Sequence, residues 1–93
     1  MALIKEIKLE NGIVVNYHRI VSLNKITNVS NIIEIASYTD KEKRIEEIND
    51  KTHTINIYIN TDYINKDYNE LETISDCYNF LKTTEKFKDS IDE

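Results

Sequence analysis

The chain has 93 residues, 40% of them hydrophobic and 31% charged, with one Gly and no Pro. That is one small domain with a thin core and the balance of a folded chain, which excludes a disordered segment. The formal net charge is -5 and no cationic cluster is present, which excludes the basic face that nucleic-acid binding requires.

Met1-Ala2-Leu3-Ile4-Lys5-Glu6 has no charged leader followed by a long apolar run, so no signal peptide is expected. No later run approaches the length of a membrane span. The single Cys77 cannot close an intramolecular disulfide. Synthesis and folding in a cytoplasm are the expectation, with no membrane partner.

The first strand is expected over about 2–10, where Leu3, Ile7 and Leu9 alternate with Ile4, Glu6, Lys8 and Glu10, giving one mostly apolar face. Asn11-Gly12 is the strongest short hairpin signal, and a two-residue turn would set Glu10 against Ile13, Ile7 against Asn16 and Lys5 against His18. The second strand, about 13–26, carries Ile13, Val15 and Tyr17 on one face and Val14 and Ile20 on the other. Its length predicts a bend or bulge near His18 to Ser22. Its two partly apolar faces predict cover on both sides, from its own chain or a neighbouring subunit. Thr27-Asn28 is the next expected turn. A third strand follows over about 29–39, with Ile33 and Ile35 opposite Ile32, Glu34, Ala36 and Tyr38.

Thr39 and Glu42 have the spacing of a capping box, and Ile45 and Ile48 stand three apart among charges. A short exposed helix is expected over 40–49, with a charged hairpin arm as the alternative. His53 to Asn60 then alternates without a fault. Ile55, Ile57 and Ile59 share one face opposite Thr54, Asn56, Tyr58 and Asn60, which predicts a strand over about 52–60 with one dry side. Residues 61–72 are expected to be a polar connection. Thr73 with Asp76 opens the last element, and Ile74, Cys77, Tyr78 and Leu81 fall on one helical stripe. A helix over about 73–83 is therefore expected to roof the three isoleucines, and about 88–93 to fray. The resulting fold class is α+β. It comprises one domain over 1–93, a small antiparallel sheet of about four strands, and the C-terminal helix on one face.

No catalytic constellation stands out. Cys77 lies on an apolar stripe, where a free thiol behaves as a small hydrophobe. His18 and His53 belong to no spaced ligand set. Asn65, Asp67 and Asn69, with Asp76 further on, have a faint calcium-loop spacing but lack the Gly and the final Glu. No catalytic, cofactor or metal residue is assigned. Residues 1–60 balance eight basic against eight acidic residues, while 61–93 hold four basic and nine acidic. That end reads as a solvated face, or as an acidic surface for a basic groove. Six tyrosines are many for this length, and tyrosine is favoured in interfaces.

Asn11-Gly12-Ile13-Val14-Val15-Asn16-Tyr17-His18-Arg19-Ile20, with Ile35-Ala36-Ser37-Tyr38-Thr39 and Tyr78-Asn79-Phe80-Leu81-Lys82, resembles a group of short proteins. They are encoded among the tail and baseplate genes of phages and prophages of Gram-positive bacteria, the Firmicutes. The resemblance runs over most of the chain and is densest at the first of these stretches. It implies a structural protein of a phage tail or baseplate, with other tail proteins as partners, a possible homo-oligomer and a place in the virion. It brings no catalytic residues. Val15, Tyr17, His18, Arg19, Val21 and Tyr58 are the interface candidates; Tyr17-His18-Arg19 fits a contact patch or the strand bend equally well. The alternative function is a small acidic prophage-encoded inhibitor of a host or nucleic-acid-binding protein.

Overall fold

A computed structural model describes residues 2–50 and 58–93. Among them the elements run β1 (Leu3–Lys8), β2 (Val14–Ile26), β3 (Ser30–Tyr38), α1 (Lys41–Asn49), β4 (Asn60–Asp67), α2 (Ile74–Leu81) and β5 (Ile91–Asp92). The strands form one sheet in the order β4-β3-β2-β1-β5, antiparallel at every joint. The fold is α+β as expected.

The first hairpin closes differently from a two-residue turn. The Gly12 amide donates to the Leu9 carbonyl at 2.9 Å and the Leu9 amide to the Ile13 carbonyl at 2.8 Å. Lys8 pairs with Val14 and Ile7 with Val15. The loop is Glu10-Asn11-Gly12, with Gly12 at φ 88 and Asn11 outside the positive-φ region. This is the three-residue solution in which the last loop residue must be left-handed, a place for Gly. The Asn11 side chain accepts from the Ile13 amide at 3.0 Å and stiffens the turn.

The expected bulge in the second strand is present. Ile20 faces Ile35 but Ser22 faces Glu34, so Val21 is the inserted residue. Before it, His18 and Ile20 share one sheet face; after it, Leu23 takes over that face. The bulge thus lets a thirteen-residue strand keep apolar residues under α2 along much of its length. The Tyr78 hydroxyl accepts from the Ile20 amide at 2.8 Å, so α2 anchors the backbone beside the irregularity.

The two helices are capped by their own chain. Thr73 accepts from the Asp76 amide and Asp76 from the Thr73 amide, the reciprocal box expected there. Helix α1 spans the expected residues, but its cap is Asp40, which accepts from the Lys43 amide, in place of Thr39 with Glu42. Asp40 is in extended conformation at φ -160, as an N-cap must be.

Helix α2 buries Cys77, Tyr78 and Leu81 against Leu3, Ile20, Ile33 and Ile35, and Phe87 closes the cluster. The helix roofs isoleucines, but those of β2 and β3. Ile55 and Ile57 lie outside the described residues, as do His53 and the whole 52–57 part of the expected strand. Ile59 precedes β4 and is 40% exposed. The expected polar connection is a strand instead. Residues 60–67 pair with β3 from Asn60 opposite Ser37 to Asp67 opposite Ser30, without a register shift. The strand carries one aliphatic residue, Ile64, so its hydrophobic pattern is too sparse to read; the pairing partner decides it. The tail is ordered by the same means. Ile91 and Asp92 pair with Ile4 and Leu3, the Glu93 amide donates to the Ala2 carbonyl at 3.0 Å, and Lys41 pairs with Glu93. These contacts replace the frayed end expected over 88–93.

Candidate functional site

Strand β2 carries most of the interface candidates, and the fold divides them. Val15, Tyr17 and His18 are buried within the chain, Arg19 is half-buried, and Val21 is exposed on its bulge. Tyr17, His18 and Val15 therefore offer no contact surface on the single chain. The apolar character of Val15 and Tyr17 serves cover by the chain's own elements, the first of the two alternatives for a strand with two apolar faces. Tyr58 is half-buried and stands edge-on to Tyr38 at 6.4 Å between ring centroids.

His18 is held at every polar atom. Its Nε2 lies 2.8 Å from the Lys5 carbonyl oxygen, an acceptor, so Nε2 carries the proton. Its Nδ1 then accepts from the Ser37 hydroxyl at 2.8 Å. Phe87 packs edge-on to the ring at 5.1 Å. Burial pushes the pKa below the usual 6.5, and Lys86 and Lys5 push the same way against the Lys5 carbonyl. The ring is a neutral strut of the core.

Two polar clusters sit on opposite faces. Under α1, the Tyr38 hydroxyl donates to Glu47 at 2.7 Å and accepts from Arg19 Nε at 3.0 Å, while Arg44 donates to the same Glu47 oxygen at 2.8 Å. Burial first, and then the Glu47 carboxylate, raise the Tyr38 pKa, so the phenol stays protonated. Beside α2, Glu72 is buried and accepts from Asn31 at 2.9 Å and from Lys66, whose ammonium lies 4.7 Å above the Phe80 ring. Burial would raise the Glu72 pKa, but the bonds from Lys66 and Asn31 outweigh it and lower it. Cys77 is pushed up to about 11 by burial and by the Glu72 carboxylate. A thiol in that state is a donor and a packing group, not a nucleophile. Apart from the Arg44–Glu47 pair three residues apart on α1, Glu47, Glu72 and Asn31 had no sequence signal beyond helix or strand position, because Glu47 meets Arg19 and Glu72 meets Asn31 across the fold.

No family model, curated protein or solved structure matches this chain.

The acidic end is less free than its composition implies. Asp62 pairs with Lys86, Glu72 with Lys66, Asp92 with Lys82 and Glu93 with Lys41, and Asp76 caps α2. The calcium-like spacing dissolves, because Asn65 and Asp67 belong to β4. An open cleft of about 440 Å³ lies between the first hairpin turn and β4, lined by Leu9, Glu10, Asn11, Asn60, Asp62 and Lys86. Its one cation and Asp62 neutralise each other across it.

What the surface does present is an edge. Among the described residues nothing pairs with the outer side of β4, which is eight residues long, free of Pro and without a bulge against β3. On the sheet face away from α2, Tyr63 is 64% exposed and bonds Glu34 at 2.9 Å. Val21 and Ile26 stand exposed on β2, as does Val29 in the turn beyond it. Helix α1 also turns Ile45 and Ile48 to solvent.

Proposed function

We propose that this chain is a non-enzymatic structural or interaction module of a phage or prophage tail, acting through contacts with other tail proteins. The observation that carries the contact part is the outer side of β4: a long, regular strand edge is a template for pairing with another chain. The exposed ring of Tyr63, on β4 itself, would add area to such a contact. Val21, on its bulge, and half-buried Tyr58 remain candidates for contacts with a partner away from that edge. The commitment of His18 and Cys77 to internal bonds supports a reading without chemistry at either residue. The tail setting, with a virion location, rests on the resemblance of the Asn11–Ile20 stretch and its companions. The test is co-expression with the products of neighbouring genes, followed by affinity capture and light scattering. Retention of a tail protein, or a stable homo-oligomer, is the expected result. A chain that stays monomeric and retains no partner would overturn the proposal.

A further inference from the structure

Resting on the reading of the chain as a contact module, we infer that its β4 edge pairs with the β4 edge of a second copy, antiparallel, with Ile64 on the two-fold axis. The argument is one of register. Two identical edges can meet antiparallel only about an axis perpendicular to the sheet, so each face continues into the same face of the mate. Residues of like parity then stand opposite, and one residue must face itself on the axis.

The side chains of β4 discriminate among the possible centres. Asn60, Asp62, Ile64 and Lys66 share the α2 face; Thr61, Tyr63, Asn65 and Asp67 share the other. Centring on Asp62 sets two carboxylates against each other. Centring on Tyr63 sets Asp62 against Ile64 of the mate, and centring on Asn65 sets Lys66 against Ile64. Centring on Ile64 sets isoleucine against isoleucine, Asp62 against Lys66 and Lys66 against Asp62. The exposed face then joins Tyr63 to Asn65 and Thr61 to Asp67, with no like charges opposed.

The internal partners of the charged pair strengthen the match. Lys86 already holds Asp62, and Glu72 already holds Lys66. Across the joint the signs therefore alternate: Lys86, Asp62, then Lys66 and Glu72 of the other copy. A chain of alternating charges with its members already positioned loses less side-chain freedom than an isolated surface pair. The strand needs no rearrangement, because it is held in register against β3 along its whole length.

The experiment uses full-length chains bearing Tyr63→Cys or Asn65→Cys, both at exposed positions. Native Cys77 is buried and held protonated, so it stays silent under mild oxidation. Circular dichroism and a thermal melt first establish that each variant folds. The expected result is a wild-type mass of twice the chain by light scattering. A disulfide-linked dimer should form when the two variants are mixed, and not in either alone. Hydrogen exchange of the unaltered protein provides a second readout, with β4 amides gaining protection as concentration rises. A dimer that neither cross-links in the mixture nor protects β4 overturns this inference and leaves the contact reading standing. So does a monomer that captures another tail protein. A monomer that captures nothing overturns both.

Discussion

On one face of the sheet, Leu3, Ile20, Ile33 and Ile35 meet Cys77, Tyr78, Leu81 and Phe87, all buried. On the other, Ala2, Tyr17, Ala36 and Tyr38 form a smaller cluster, and α1 reaches it through Glu47 while burying none of its own residues. The first face is held by area removed from water, a non-directional force that scales with the side chains covered. The second is latched by a few directional bonds converging on one carboxylate oxygen, with Arg19, Tyr38 and Arg44 as donors. The same chain thus attaches one helix as core and the other as a polar clasp, which predicts different responses to mutation and to pH.

The largest effect should come from the dry face. Phe87→Ala removes a fully buried ring and should cost about 3–5 kcal/mol in urea unfolding. A loss under about 1 kcal/mol would mean that α2 and its following turn are not the core. On the clasped face, Tyr38→Phe deletes one hydroxyl that serves both Arg19 and Glu47. It should cost about 1–3 kcal/mol and raise amide exchange in α1 ahead of α2. Equal exchange in both helices would erase the distinction between the faces.

Acid should also strike the dry face first. His18 is neutral when folded and its pKa lies below the usual 6.5, so the unfolded chain binds more protons there. Stability from this residue is complete above that usual value and falls as pH drops from it toward the lowered folded pKa. The slope is at most about 1.4 kcal/mol per pH unit. Unfolding midpoints measured stepwise below 6.5 should decline, and a folded His18→Gln variant should lose that decline. An unchanged profile would show that the ring is not sealed. The smallest effect belongs to Leu71, 84% exposed: Leu71→Ser should shift the midpoint by no more than about 0.5 kcal/mol.

Much of this molecule could be read along the chain, and the reason is local. Gly12 marks a turn because a left-handed residue is needed there; Thr73 and Asp76 cap α2 because their atoms are three residues apart in any helix that starts at that point. The stripe Cys77, Tyr78 and Leu81 announces its buried face by spacing alone. The bulge at Val21 was foreseeable from strand length. The contact surface was less legible. Alternation in β2 shows which residues are apolar but not whether the chain itself or another copy covers them, and the polar-aromatic Tyr17-His18-Arg19 stretch does not show which way it faces, so Val15, Tyr17 and His18 stood out as interface candidates although they are buried.

By itself the sequence determined where the first hairpin turns, the cap of α2, the helical stripe and the α+β class, because each depends on residues within a few positions of one another; the loop length of that hairpin and the Asp40 cap of α1 were not fixed by it. Only the tertiary structure decided that residues 60–67 form a strand, that Ile91 and Asp92 close onto β1, and that Glu47, Glu72 and His18 serve as internal polar struts. Those outcomes depend on partners far along the chain, whose attraction overrides a weak local preference once the sheet brings them together.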